Sequence, residues 1–185
     1  MRSDLPRVPP IPDEGATEAQ QALFERMKGA DGDVLGIFRT LANHADLTRR
    51  WMVFGSHVLA KSTLSARVRE LLILRVGWVC KAEYEWGQHV LIAREAGITD
   101  DEIRRVQAGP EAAGWSDDDR ALLQAADELL RDQFISDQVW ADLDKSLSTE
   151  QILDLIFTVG QYNLVSMALN SLGVQLEPGA PTFRI

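Results

Sequence analysis

The chain has 185 residues, 45% of them apolar, and a formal charge of −9. That size allows one domain with a full apolar core, or two small lobes. The acidic balance argues against nucleic acid or an anionic membrane as partner, since both need a basic surface. Arg2 and Arg7 are followed by no apolar h-region, so no signal peptide is expected. No stretch is read as a membrane span, which needs roughly 18 uncharged apolar residues. The single cysteine, Cys80, has no internal partner for a disulfide, and the expected setting is reducing and cytoplasmic.

Residues 1–15 are rich in proline and charge and are expected to form an extended arm. Thr17-x-x-Gln20 has the form of a capping box and predicts a first helix to about Lys28. A second is predicted over Val34 to Asn43, and a third from Leu47 to about Lys61, carrying Trp51, Phe54 and Val58 at helical spacing. A fourth should begin after Ser65 and run to about Val79. Its Leu71-Leu72-Ile73-Leu74 run is apolar all round, which marks a central helix. A fifth, about Ala82 to Ala96, should end at a Gly97 cap. Thr99-x-x-Glu102 opens a sixth that ends at Gly109-Pro110, and residues 109–115 are a candidate boundary between two lobes. Ser116 opens a seventh, to about Asp132, and Ser136 an eighth, to about Leu147. Ser148-x-x-Gln151 opens a ninth, which runs to about Leu172 and is stopped by Gly173. The tail beyond should be extended. The expectation is an all-α bundle of about nine helices, with residues 16–185 as one domain.

The residues with chemistry cluster in the fourth and fifth helices. Glu70 heads the apolar run. Glu85 and His89, four apart, share a helix face with Tyr84 and Trp86 close by. A carboxylate beside an imidazole is a proton-transfer unit suited to neutral pH. A short link around Cys80 to Ala82 suggests that the two helices pack antiparallel, which would bring Glu70 to His89. Glu/His pairs at this spacing are also common on solvated helix faces, but the apolar flanks here argue against full exposure. No nucleotide-binding, nucleophile-elbow or zinc-protease motif is present. No metal and no cofactor are expected, because His44, His57 and His89 fall in different helices. Asn163, Ser166 and Asn170 form a polar stripe on the ninth helix, read as a helix–helix or subunit contact in preference to a ligand pocket.

The segment RELLILRVGWVCKAEYEWGQHVLIAREAGITDDEI, with IFRTLANH before it and FTVGQYNLVSMALNSLGV after it, resembles the carboxymuconolactone decarboxylase and alkyl hydroperoxidase D-like (AhpD-like) superfamily. The resemblance implies an AhpD-like helical bundle that assembles as a homo-oligomer with the active-site helix pair near subunit contacts. Peroxidase members carry a glutamate, then a Cys-x-x-Cys pair, then a histidine four residues on. Matched to His89, the glutamate position is Glu70, and the cysteine positions hold Ala82 and Glu85. Tyr84 stands where those peroxidases have another histidine. Thiol peroxidase chemistry is therefore disfavoured.

The expected function is an acid/base enzyme without a cofactor, a lyase that decarboxylates a small organic acid or lactone. His89, Glu70 and Glu85 would be its catalytic residues. His89 would carry the proton, Glu70 would fix its tautomer, and Glu85 would sit nearest the substrate. Tyr84 and Trp86 would bind substrate. The alternatives are an isomerase or hydrolase on the same site, or a non-catalytic oligomeric ligand-binding or scaffold protein.

Overall fold

The computed structural model describes residues 3–29 and 32–184. Met1 and Arg2 of the expected arm, and Ile185 of the tail, lie outside them. The described residues form nine α-helices: α1 Glu18–Met27, α2 Gly36–Leu41, α3 Ala45–Ala60, α4 Ala66–Val79, α5 Glu83–Glu95, α6 Asp100–Ala108, α7 Asp117–Asp132, α8 Asp137–Leu143 and α9 Thr149–Leu172. They contain no strand, and a 3-10 turn, Ala42–His44, joins α2 to α3. The all-α expectation therefore holds.

The helix starts follow the capping residues. Thr17, Thr99 and Ser148 each close a full capping box with the residue three positions on. Ser65, Ser116 and Ser136 cap through the hydroxyl alone. Each such cap typically contributes about 1 kcal/mol by satisfying an orphan backbone N–H. Two boundaries differ from expectation. The second helix is only six residues long before it tightens into the 3-10 turn. The eighth ends at Leu143, with a run of turn backbone before the Ser148 cap.

The apolar run of α4 is the centre of the bundle. Leu71, Leu72, Ile73, Leu74 and Val76 are fully buried, and α4 packs on α5, α6, α7 and α9. Leu72, Ile73 and Val76 join an apolar cluster with α7, α8 and α9. Leu71 and Leu74 join a second cluster with Trp86, Val90, Ile103 and Trp115. A helix that serves two cores has no polar face, which explains its uniform hydrophobicity. Each such side chain contributes about 1.5–3 kcal/mol on burial.

α4 and α5 are joined by a very short reversal. Ala82 N–H donates to Gly77 O at 2.8 Å and Lys81 N–H to Trp78 O at 3.2 Å, with Lys81 in the left-handed region at φ 56°. This is a Schellman turn built without glycine. Two contacts support the unusual lysine backbone. Lys81 Nζ lies 4.9 Å from the centre of the Trp78 ring, and Asn170 Nδ2 donates to Cys80 O at 2.9 Å. The same motif ends α5, where Ile98 N–H donates to Ala93 O at 2.9 Å across Gly97 at φ 85°.

Both termini wrap the bundle. Arg7 and Val8 N–H donate to Leu172 O at 2.9 and 3.1 Å, and Asn43 Nδ2 donates to Pro9 O at 2.9 Å. In the tail, Phe183 packs between Trp78 and Trp86, with ring centres 5.1 and 5.7 Å away. Helix α9 corrects one sequence expectation. By length and composition alone Thr149–Leu172 could cross a membrane. Half of its most apolar window is buried in the bundle, as in a core helix, and Tyr162, Val165, Ser166 and Leu169 face inward.

Candidate active site

The α4–α5 reversal brings Glu70 to His89. His89 Nδ1 lies 2.6 Å from Glu70 Oε2, although the two are 19 residues apart in sequence. Glu70 is fully buried and His89 is 7% exposed. The second carboxylate oxygen is also engaged, because Arg69 Nε donates to Glu70 Oε1 at 3.1 Å. With its Nδ1 proton directed at Glu70, the neutral imidazole presents the Nε2 lone pair on the other side. Nε2 has no partner among the described residues, and it is not sealed from solvent.

Tyr162 of α9 stands edge-on to this imidazole, with ring centres 4.8 Å apart at 89°. Its phenol is buried, its hydroxyl has no protein partner among the described residues, and that oxygen is not sealed. Burial pushes its pKa well above the ordinary phenol value; the charges of Glu70 and Glu85 push it further, and Arg69 opposes them.

Glu85 occupies a closed position. It is 2% exposed, and Ser166 Oγ donates toward its carboxyl, lying 3.1 and 3.2 Å from the two oxygens. Burial raises its pKa well above the usual carboxylate range, against the pull of Ser166. Burial therefore favours the protonated form of Glu85. A Cβ on Gly77 would lie 3.3 Å from Glu85 Oε1, so glycine on α4 makes the room that this carboxyl fills. Glu85 is thus enclosed by the bundle, while His89 Nε2 is not sealed from solvent.

The hydrogen bonds of Tyr84 and Trp86 go to other elements. Tyr84 hydroxyl accepts from Ile37 N–H at 3.2 Å and donates to Glu177 Oε1 at 3.0 Å, while Glu177 also accepts from Gly36 N–H at 2.7 Å. It ties α5 to α2 and the tail. Trp86 is fully buried and its Nε1 donates to Thr182 O at 3.0 Å. Both anchor α5 to distant parts of the chain, and neither hydrogen-bonds Glu70 or His89.

The polar stripe of α9 proves to be an intrachain helix–helix contact. Ser166 meets Glu85, Asn170 meets the Cys80 carbonyl, and Asn163 Oδ1 lies 3.5 Å from Cys80 Sγ. Sequence reasoning missed Tyr162 and Arg69. Tyr162 is one of only two tyrosines and adjoins the stripe at Asn163, and Arg69 is the immediate neighbour of Glu70. The flanking arginines of α4, Arg67 and Arg75, hold the scaffold. Arg75 clasps Asp127 at 2.6 and 2.7 Å. Arg67 pairs with Asp119 and Glu102, each at 2.7 Å. The principal cavities among the described residues lie away from His89. One is an apolar groove of about 440 Å³ between α2, α3, α9 and the arm, lined by Ile37, Leu41, Trp51, Val165 and Leu172 among others.

An all-α bundle that sets a carboxylate against an imidazole across a tight helix reversal is an AhpD-like fold. Residues 45–128, which hold Glu70, Glu85 and His89, match the model of the carboxymuconolactone decarboxylase family, so the resemblance read from the sequence holds. The whole fold is shared with solved structures of low identity. A peroxidase-related protein with an alkylhydroperoxidase AhpD core from Ralstonia eutropha JMP134 is 19% identical with a TM-score of 0.75, covering 90% of this chain and 87% of its own. A peroxidase-related protein from Silicibacter sp. TM1040 is 19% identical at TM-score 0.76, covering 95% and 91%. The debrominase Bmp8 in complex with 2,3,4-tribromopyrrole is 14% identical at TM-score 0.78, covering 95% and 94%. At these identities the likeness establishes the fold. No curated protein is recognisably similar in sequence.

Proposed function

We propose that this protein is an acid/base enzyme acting on a small organic acid or lactone, with decarboxylation as its reaction. The observation that carries this reading is the buried Glu70–His89 contact at 2.6 Å, with Nε2 of the same imidazole unpartnered and open. Loss of carbon dioxide from a carboxylate conjugated to a carbonyl leaves its electron pair as an enolate. The enolate carbon then takes a proton. His89 protonated at Nε2 delivers that proton while Glu70 holds the ring orientation and balances the imidazolium charge. The enolate oxygen needs a donor, and the Tyr162 hydroxyl stands beside the imidazole. An isomerase or hydrolase would use the same groups, so the reaction must be read from products.

The test is a screen of small keto acids and unsaturated lactones with wild type, His89→Gln and Glu70→Gln in parallel, following carbon dioxide release and product mass. The expected result is turnover that falls by at least a hundredfold in either variant, the range of a lost general acid/base, with the helical circular dichroism unchanged. Full activity in His89→Gln would refute the reading. One observation favours a second reading. His89 lines none of the principal cavities, whereas the apolar groove beside Trp51 is roomy enough for a small ligand. A ligand-binding protein without catalysis would bind there and show no dependence on His89.

A further inference from the structure

Glu70 is held from both sides. Arg69 Nε donates to its Oε1 at 3.1 Å, and His89 Nδ1 lies 2.6 Å from its Oε2. The carboxylate is fully buried, and the Arg69 side chain is 13% exposed. A buried carboxylate is costly unless it is paired and hydrogen-bonded, and a neutral imidazole offers it a proton but no charge. Arg69 is the permanent cation bonded to Glu70 among the described residues. The other arginines of α4 are engaged elsewhere. Arg67 takes Glu102 of α6 and Asp119 of α7, and Arg75 takes Asp127 of α7.

The net charge of this buried set decides how firmly it holds a proton. From α5, burial favours the protonated form of the Glu85 carboxyl. From α9, burial favours the neutral form of the Tyr162 phenol, and Glu70 and Arg69 are among the charges that act on it. With Arg69 in place, an ionised Glu70 and a neutral His89 bring the sum to zero, and a protonated His89 leaves one net positive charge. Without Arg69 the same two states would carry one net negative charge and none. Low-dielectric surroundings favour the state of lower net charge. Arg69 thus tips the set toward the neutral imidazole, and its loss would tip the set toward the imidazolium.

We propose that Arg69 is a positioning residue: it keeps Glu70 ionised and fixed in direction, and by sharing that carboxylate it lets His89 give up its Nε2 proton to a substrate instead of retaining it. This role rests on the acid/base reading of the same site and adds what tunes it. The proton leaves Nε2 for the substrate carbanion, and the electron pair of the N–H bond stays on the ring. Nδ1–H remains directed at Glu70, and Nε2, which is not sealed, regains its proton from water. Arg69 touches neither that proton nor the substrate, so its loss acts through His89.

The test follows the ring nitrogens of His89 by NMR over a pH series in the full-length protein, with His89→Gln to assign them. Arg69→Gln removes the charge and keeps an N–H donor for Glu70, whereas Arg69→Lys keeps the charge. In Arg69→Gln, His89 should hold its Nε2 proton to a pH higher than in wild type by about one unit or more, the reach of a neighbouring charge. Arg69→Lys should titrate close to wild type, and His44 and His57 should titrate alike in all three proteins. An arginine with a merely structural role would be replaced by glutamine without moving the titration. An unmoved or lowered titration in a folded Arg69→Gln, or an equal rise in Arg69→Lys, would overturn the proposal. Should Arg69→Gln not fold, Arg69→Met carries the same expectation. The two claims fail separately, because the titration needs no substrate. A raised titration with no turnover of any screened acid or lactone leaves Arg69 in its role toward His89 and defeats the enzyme. Turnover that depends on His89, with an unmoved titration in Arg69→Gln, does the reverse.

Discussion

Replacing Glu85 with glutamine should flatten the pH dependence of stability. In the unfolded chain the carboxyl ionises near its ordinary 4.5, while burial in the fold keeps the proton on well above that. Above the unfolded value, the folded state holds a proton that the unfolded state has released. Its stabilising contribution is fully present below about pH 4.5 and is lost as pH rises toward the folded pKa. The slope is about 1.4 kcal/mol per pH unit. Glutamine keeps the shape and an acceptor for Ser166 and has no proton to lose. Relative to wild type, the variant should therefore gain stability steadily as pH rises above about 4.5, until the folded-state pKa is passed.

The assay is urea unfolding of both proteins at about pH 5, 6 and 7, followed by helical circular dichroism. The three histidines are common to both proteins and cancel in the difference. Carboxylates shifted the other way do not intrude. Burial alone would raise Glu102, but Thr99 N–H and Arg67 hold it down to about 2, so its contribution is lost only below about pH 4.5. Parallel stability curves for wild type and Glu85→Gln would show that the fold does not raise the Glu85 pKa, and the reading would fall.

Cys80→Ser should leave any turnover within a few-fold of wild type, and neither protein should reduce peroxide through a thiol; robust peroxide reduction that vanishes in Cys80→Ser would contradict the reading. Gly87→Ala should displace the tail, since a Cβ there would collide with the Pro181 carbonyl and press on Leu176. We expect a loss of about 1–3 kcal/mol, as for overpacking, and faster proteolysis of residues beyond 176, with wild-type resistance as the refuting result. Assembly can be read by light scattering. Val53, Phe54, Phe157, Leu164 and Met167 leave an exposed apolar face on α3 and α9, with the two phenyl rings edge-on at 5.9 Å. We propose that a second copy covers this face. Wild type should then scatter as a multiple of 20.6 kDa, with Phe157→Glu shifted toward that monomer mass; a monomeric wild type at micromolar concentration would refute it.

The fold was legible because its signals are local. Caps such as Thr17, Thr99 and Ser148 act within one turn, and the all-round apolar run of α4 admits few positions other than a core. The Glu70–His89 contact was legible for a related reason. A reversal of two or three residues leaves the following helix little choice but to run back along its predecessor. What escaped was set by rotation and by distant elements. Whether Tyr84 or Glu85 faces α4 depends on the rotation at which α5 docks on it. Tyr162 reaches the imidazole only because α9, more than 70 residues on, packs across both helices. The arm's docking is likewise non-local, since its N–H groups find Leu172 and Arg39 carbonyls of its own chain.

The resemblance to thiol peroxidases sharpens what Glu85 means. A redox cysteine needs exposure and an electropositive surrounding to be a thiolate. The residue at the second cysteine position here is 2% exposed, faces a serine hydroxyl and sits against the bare backbone of Gly77. Burial in that position disfavours the charged form of a carboxyl. The proposed acid/base chemistry would then run through the Glu70–His89 pair. The two carboxyls have different surroundings, Arg69 and His89 around Glu70, Ser166 beside Glu85, so the proposed proton transfer would use Glu70, the one that bonds the imidazole.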